Sequence, residues 1–384
     1  MRDRHAHGAD APRSPDEPPS PGARFHAAVR KHWFLFALAV VIPGGLAMGW
    51  NPGSAPAAWG PPGEWFDARF LTAAVLFLMA FSLNSGKLWA AMAKPGPVLW
   101  AAACNVALVP LLAWPLSYTQ TLVDFQLGLM IAAASACTMA GASVWTRQAG
   151  GNDAVSLLVT LLTNGLCFLT APAALLVTTG ESVEFDVPNL MARLLLTAAL
   201  PMAIGQAVRA IPAVGRLAAG KRAIWGNLAL FLVLGIVFTG AAKAGRTLDD
   251  LGVIESGGGP KLAGGVAWVG ACCVFVHTLA MGVAFLGAGL LGFGREEQIA
   301  CAFAGSQKTL PIGLLIAVSP TMFGDPNLLG PGIGVPLAVF PMLLYHASQM
   351  FLDTVVASRL RANTEANGGR EPPASPTAGE RTGG

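Results

Sequence analysis

The chain has 384 residues, 54% of them hydrophobic and only 12% charged, with a net charge of +3 and a mean hydropathy of +0.57. An ordinary soluble domain carries about 25% charged residues, so these charges are too few to solvate a globular surface. The apolar runs are long and continuous, near the ~20 residues that cross a bilayer, which excludes a soluble helix bundle and an alternating β-barrel in favour of an all-α integral membrane protein.

The first 30 residues are rich in Pro, Arg and Asp and read as a disordered tail (1–30). The first apolar run starts at Trp33, too late and too long for a signal peptide. Ten transmembrane helices are predicted: Trp33–Gly49, Arg69–Leu83, Val98–Leu116, Phe125–Thr146, Ala154–Thr178, Leu190–Arg209, Ile224–Ala242, Gly264–Phe293, Gln298–Val318 and Val335–Ser358. The eighth is long enough to hold a tilt or a break. A second disordered tail is expected over 361–384.

Charge bias orients this arrangement. With the first tail inside, the inner side holds Lys87, Lys94, Arg147, Arg209, Arg216, Lys221, Arg222, Arg295, Arg359 and Arg361. The outer side holds Arg69, Arg193, Lys243, Arg246 and Lys261, with the acidic run Glu181, Glu184, Asp186. The inner excess predicts both termini in the cytoplasm and hence an even number of spans. The basic residues lie at segment ends and form no patch, so nucleic acid is not implied. All six cysteines sit in apolar runs, which argues against a disulfide framework and against a metal centre.

Span four contains "ACTMAG" from Ala136, and span nine contains "ACAFAG" from Ala300. Five spans separate the copies, so two halves of five would be inverted in the membrane, an arrangement that recurs in secondary transporters with broken helices at the midplane. The first repeat would cover 31–180 and the second 188–358. The second copy runs on into Gln307, Lys308, Thr309 and Pro311. Pro311 lacks an N–H and disfavours helix at Leu310, which predicts a break near Gln307–Leu310. Lys308 lies in the middle of its span, where a lysine costs about 2.5–3.5 kcal/mol on the insertion scale, and so needs a partner or a role.

Other polar residues occur at similar depth: Ser135, Thr138 and Ser143 in span four, Asn105 in span three, Ser156, Thr160 and Asn164 in span five, His277 in span eight, and Tyr345, His346, Gln349 and Asp353 in span ten. Each alone is compatible with interhelical hydrogen bonding. Together they outline a polar cluster at the crossing of two broken helices. There is no phosphate loop, no GxSxG, no HExxH and no paired-carboxylate constellation, so the chain is not expected to be an enzyme or an ATP-driven pump.

The segments "PMAIGQAVR" in span six, "VWTRQAGGNDA" after span four, "GSQKTLPIG" in span nine and "FPMLLYHASQ" in span ten occur in one order. On these the chain resembles the bile acid:sodium symporter family, in its divergent SBF-like branch, over Trp33 to Ser358. The resemblance implies two inverted five-helix repeats. It implies a panel domain of spans one, two, six and seven, and a core domain of spans three to five and eight to ten. Helices four and nine would be broken and would cross. It implies a cation site, or its remnant, at Asn105, Ser143, Ser156, Thr160, Gln307 and Lys308, with sodium at Ser156, Thr160 and Gln307. Ser143 and Ala142 stand where family members have Asn and Ser at the break of span four. Two departures oppose sodium: Phe303 stands where the bridging acid belongs, and Lys308 where Asn is usual. The Lys308 ammonium could then replace a cation, carry a proton, or attract an anionic substrate.

The expected function is secondary transport of a small organic anion across a bacterial inner membrane by alternating access. The coupling ion would be sodium or a proton, or transport would be uncoupled. Substrate would bind at Lys308, Thr309, Ser143 and His277. Keto acids, sulfonated compounds and vitamin precursors are the open classes. The alternatives are a regulatory or scaffold membrane protein that has lost transport, and a channel, for which no ring of charges or carbonyls is evident.

Overall fold

The computed structural model describes residues 33–51, 67–83, 95–139, 141–179, 186–250, 259–317 and 335–368. Among them there is no strand, only helices and short connections. The tail over 1–30 lies outside the described residues, as do Lys87, Lys94, Glu181 and Glu184.

The helices are α1 (Trp33–Trp50), α2 (Ala68–Ser82), α3 (Pro95–Ser117), α4 (Val123–Ala134), α5 (Gly141–Gln148), α6 (Asp153–Gly165), α7 (Cys167–Thr179), α8 (Val187–Ala210), α9 (Pro212–Gly220), α10 (Arg222–Asp250), α11 (Gly259–Leu290), α12 (Arg295–Ser306), α13 (Leu310–Ala317) and α14 (Val339–Gly368). A 3₁₀ turn, Val335–Ala338, leads into α14. By length and composition, five described stretches can cross a membrane: Pro95–Ser117, Val187–Ala210, Ala223–Arg246, Gly259–Leu290 and Arg295–Ala317. The bent pair α6–α7 makes a sixth when its two halves are counted as one span. Phe36–Trp50, Arg69–Ser82 and Val123–Ala134 are shorter apolar helices. The chain is a multi-pass helical membrane protein.

Local sequence accounts for the irregularities. Each of α3 and α8 widens into a π-turn, at Cys104–Leu108 and Leu195–Ala199, two residues before Pro110 and Pro201. Proline has no N–H to give and its ring pushes the preceding turn open, so the backbone takes longer-range bonds there. The fifth span is not one straight helix: α6 and α7 meet at 68° around Leu166. Gly165 ends α6, and Pro172 in α7 removes a helical donor. The eighth span, by contrast, is unbroken over Gly259–Leu290. Helix α14 continues to Gly368, into the stretch expected to be tail from Arg361.

Two packed groups result. Helices α1, α2, α8 and α10 pack on one another, and α3 to α6 with α11, α12 and α14 form the other group. The α1–α10 contact depends on glycine. A Cβ on Gly49 would lie 1.9 Å from the Ala242 carbonyl oxygen, and one on Gly245 would lie 2.2 Å from that of Leu46. Small residues let the two backbones touch where no hydrophobic driving force separates protein from lipid.

Candidate substrate and cation site at the helix crossing

The site is built where two helices come apart. Between α4 and α5 the chain is extended from Ser135, and between α12 and α13 from Gln307 to Thr309. The second break lies where Pro311 predicts it. The first contains no proline, and it falls ahead of Ser143, which belongs to α5. The two hexamers are therefore not equivalent in structure. "ACTMAG" falls largely within the first break, whereas "ACAFAG" is helical and precedes the second.

Breaking a helix inside a membrane frees backbone groups that must find partners. Here the two breaks partner each other. Thr309 N–H donates to the Ala136 carbonyl (2.7 Å), and Thr138 Oγ1 donates to the Lys308 carbonyl (2.9 Å). Side chains supply the rest. Gln349 Oε1 accepts from Lys308 N–H, and its Nε2 donates to Lys308 O, both at 2.8 Å. Asn164 Nδ2 donates to Cys137 O (2.7 Å), Cys137 N–H donates to Thr163 Oγ1 (3.2 Å), and Thr160 Oγ1 reaches Thr138 O (3.4 Å). Asn105 Nδ2 donates to Ala304 O (3.1 Å) and Gln307 O (2.8 Å).

The Lys308 side chain is fully buried at this crossing. Its Nζ donates to Asn105 O (2.5 Å), Asn105 Oδ1 (3.2 Å) and Ser135 O (2.8 Å). It is absent from the ion pairs among the described residues. Behind the second break His277 Nε2 meets Asp353 Oδ1 at 2.9 Å, and His277 Nδ1 meets the Ser306 carbonyl at 3.3 Å. Tyr345 donates its hydroxyl to the same carbonyl (3.0 Å), and Gln307 Nε2 donates to Asp353 Oδ2. Both ring nitrogens of His277 are thus engaged, one by a backbone carbonyl and one by the Asp353 carboxylate.

Of the residues expected at the site, Asn105, Gln307, Lys308, Thr309 and Thr160 converge on the crossing. Ser156 pairs instead with Thr146, Oγ to Oγ1, at 2.7 Å. Ser143 is buried in α5. His277 is turned to Asp353 and away from the cavity described next. Ser135, Thr138, Gln349 and Asp353, which the sequence placed in the polar cluster without naming them as ligands, complete the network. For two of these a signal exists: Gln349 and Asp353 recur with Tyr345 every fourth residue along one face of α14.

A cavity of about 220 Å³ opens beside the crossing. Trp33, Phe34, Met79, Leu230 and Val233 line one side, from α1, α2 and α10. Thr138, Trp145, Thr309, Pro311 and His346 line the other. Neither Lys308, nor Ser143, nor any carboxylate is among the lining residues. The tautomer of His346 is set indirectly. The Lys308 backbone orients the Gln349 amide, so Nε2 of Gln349 donates to His346 Nδ1 (3.0 Å) and the histidine hydrogen sits on its Nε2. His346, 6% exposed, thus adds an N–H donor to a largely apolar lining whose other polar side chains are Thr138 and Thr309.

A family model described as the SBF-like CPA transporter family matches residues 32–362. The chain is 22% identical over 343 residues to the sodium/bile acid cotransporter 7 of Rattus norvegicus, covering 87% of this chain and 94% of that protein. The probable sodium/metabolite cotransporter BASS4, chloroplastic, of Arabidopsis thaliana is 24% identical over 245 residues, 60% of this chain and 51% of that protein. The sodium/bile acid cotransporter 7-B of Xenopus laevis is 21% identical over 344 residues, 87% of this chain and 93% of that protein.

Proposed function

Because the chain belongs to the SBF-like CPA transporter family, we propose that it is a secondary transporter that carries a small organic anion by alternating access. It is a transporter and not an enzyme. The observation that carries the reading is the cavity between the α1–α2–α10 group and the crossing of the two breaks. A site at the seam of two packed groups changes its accessible side when one group moves against the other.

The lining favours an acid with one polar head and an apolar body. His346 Nε2–H and the Thr309 hydroxyl are donors at one end, while two tryptophans and Phe34 supply the apolar remainder. The cavity also borders Leu310 and Pro311, the first turn of α13. The positive end of that half-helix, with the Lys308 ammonium behind it, favours negative charge. The volume is below the ~300–1,000 Å³ of drug-sized sites, which favours a small metabolite over a steroid. The rat and Xenopus relatives are named as bile acid cotransporters and the Arabidopsis relative as a metabolite cotransporter; the metabolite class suits this cavity better.

In this reading ten spans form two inverted five-helix repeats, with α4–α5 and α12–α13 as the crossing helices. The two packed groups act as panel and core. The protein lies in the bacterial inner membrane with both ends of the helical region cytoplasmic, as the Lys/Arg bias supports. Transport is coupled to a proton or uncoupled, since Phe303 supplies no carboxylate for sodium. Two measurements test the proposal: thermal shifts of the purified chain against keto acids, sulfonates and vitamin precursors, and uptake of the hits into proteoliposomes. An acid that stabilises the wild type and is accumulated, with affinity reduced about tenfold in His346→Leu, supports it. Uptake of neutral or cationic compounds but of no acid refutes it.

A further inference from the structure

The oxygens round Lys308 form a cation cradle drawn from three parts of the chain. Asn105 O and Oδ1 come from the π-turn of α3, and Ser135 O comes from the first break. Lysine itself belongs to the second break. All three oxygens are acceptors only. Two are backbone carbonyls, and Asn105 Oδ1 is committed as an acceptor because its Nδ2 donates to Ala304 O and Gln307 O. A neutral amine has two hydrogens and would turn its lone pair on one of these oxygens; an ammonium has three and satisfies them all. Three acceptors with no donor among them suit an ammonium in this cradle.

Sodium does not fit the same place. The ammonium already fills it, and one helical turn before Gln307 the fully buried side chain is Phe303, where a carboxylate would have offset a metal ion. The carboxylate that does touch Gln307, that of Asp353, is held by His277. Gln307 Oε1 is left as a buried oxygen without a donor, a single neutral acceptor where a sodium ion needs several oxygens.

We infer that Lys308 is a built-in cation that takes the place of a soluble coupling ion, welding the two helix breaks together so that the transport cycle needs no sodium. This rests on the transporter reading for its meaning, but its physical content is separate. A tethered cation cannot leave, so the crossing stays assembled through the cycle and no ion gradient is consumed at this point. Removing the side chain leaves an empty, oxygen-lined cradle that a small free cation can enter.

The test uses the purified full chain in detergent and measures thermal unfolding in sodium chloride, ethylammonium chloride and choline chloride at equal ionic strength. Wild type is expected to unfold at the same temperature in sodium and choline, within about 1 °C. Lys308→Ala is expected to unfold about 5 °C lower in choline and to recover at least half of that in ethylammonium, which restores three N–H donors; choline has none. Selective stabilisation of wild type by sodium overturns the inference, and needs no variant. An alanine variant that folds but that neither ethylammonium nor sodium restores also overturns it. If Lys308→Ala does not fold, Lys308→Met takes its place; its side chain fills the stem volume, so ammonium chloride replaces ethylammonium chloride, with the same recovery expected and the same refuting outcome. Failure to find any transported acid would refute the transporter reading and leave these unfolding temperatures as expected.

Discussion

Thr309 donates its backbone N–H to the carbonyl of Ala136 across 2.7 Å, a direct bond between the two helix breaks. With the Thr138 hydroxyl on Lys308 O, each break supplies partners that the other has lost. Gln349 then closes the arrangement on both sides of the Lys308 peptide. Gln349→Ala is expected to cost about 2 kcal/mol, since it strands the Lys308 N–H, while Thr138→Val costs less because Lys308 O keeps its Gln349 donor. Denaturation of the two variants side by side checks the order; an equal or reversed cost contradicts it.

The His277–Asp353 pair is buried with no water-exposed surface on either side chain. Asp353→Ala is expected to destabilise by about 3–5 kcal/mol, because it leaves the imidazole and the Gln307 amide facing an empty space. His277→Ala should cost a similar amount. The double variant should cost clearly less than the sum, with a coupling of about 0.5–3 kcal/mol. Additive losses in a double-mutant cycle would show that the pair does not act as a unit.

Gly49 and Gly245 let α1 and α10 meet backbone to backbone. Gly49→Val or Gly245→Val should lower stability by at least about 1–3 kcal/mol through overpacking. Gly44→Ala, where an added Cβ meets nothing within 4 Å, should be near neutral. Unfolding temperatures of the three variants, compared with wild type, decide this.

Asp67 caps α2, accepting from the Arg69 N–H at 2.8 Å and pairing with its guanidinium. The Arg69 side-chain hydrogen bonds hold the Asp67 carboxyl below its ordinary range. A depressed carboxylate contributes stability above its unfolded pKa and loses it as pH falls through the folded one. The side chain is 35% exposed, so screening keeps the charge contribution under about 0.5 kcal/mol. The stability gap between wild type and Asp67→Asn should be small at neutral pH and vanish as the pH falls through the depressed pKa of the folded state. A gap that grows on acidification would contradict the assignment.

Much of the framework was legible because it depends on local chemistry. Apolar run length marks the helices, and Pro311 marks the second break two residues ahead of itself. Lys308 was conspicuous because an ammonium in an apolar run has few explanations. The first break was placed too far along, at Ser143, because no proline announces it. It is held open by Asn164, Thr163 and Thr160 from α6 and by Lys308 and Thr309 from the other half. Those partners are distant in sequence, and no local pattern encodes them. The repeated hexamer misled for the same reason: the second copy is helical throughout, whereas Ala136 to Thr138 of the first are extended. The 68° bend at Leu166 was also missed, since Gly165 and Pro172 are each tolerated in membrane helices.

By itself the sequence determined that this is a helical membrane protein, where one helix must break, and that a lysine lies at that depth. These follow from the cost of placing charge and unpaired backbone in hydrocarbon, which each residue carries wherever it sits. Only the tertiary structure decided what the lysine does. Its three hydrogens could have faced a substrate, a carboxylate or water. They face Asn105 and Ser135 because the two breaks cross, and a crossing is set by packing between segments that the chain order keeps far apart.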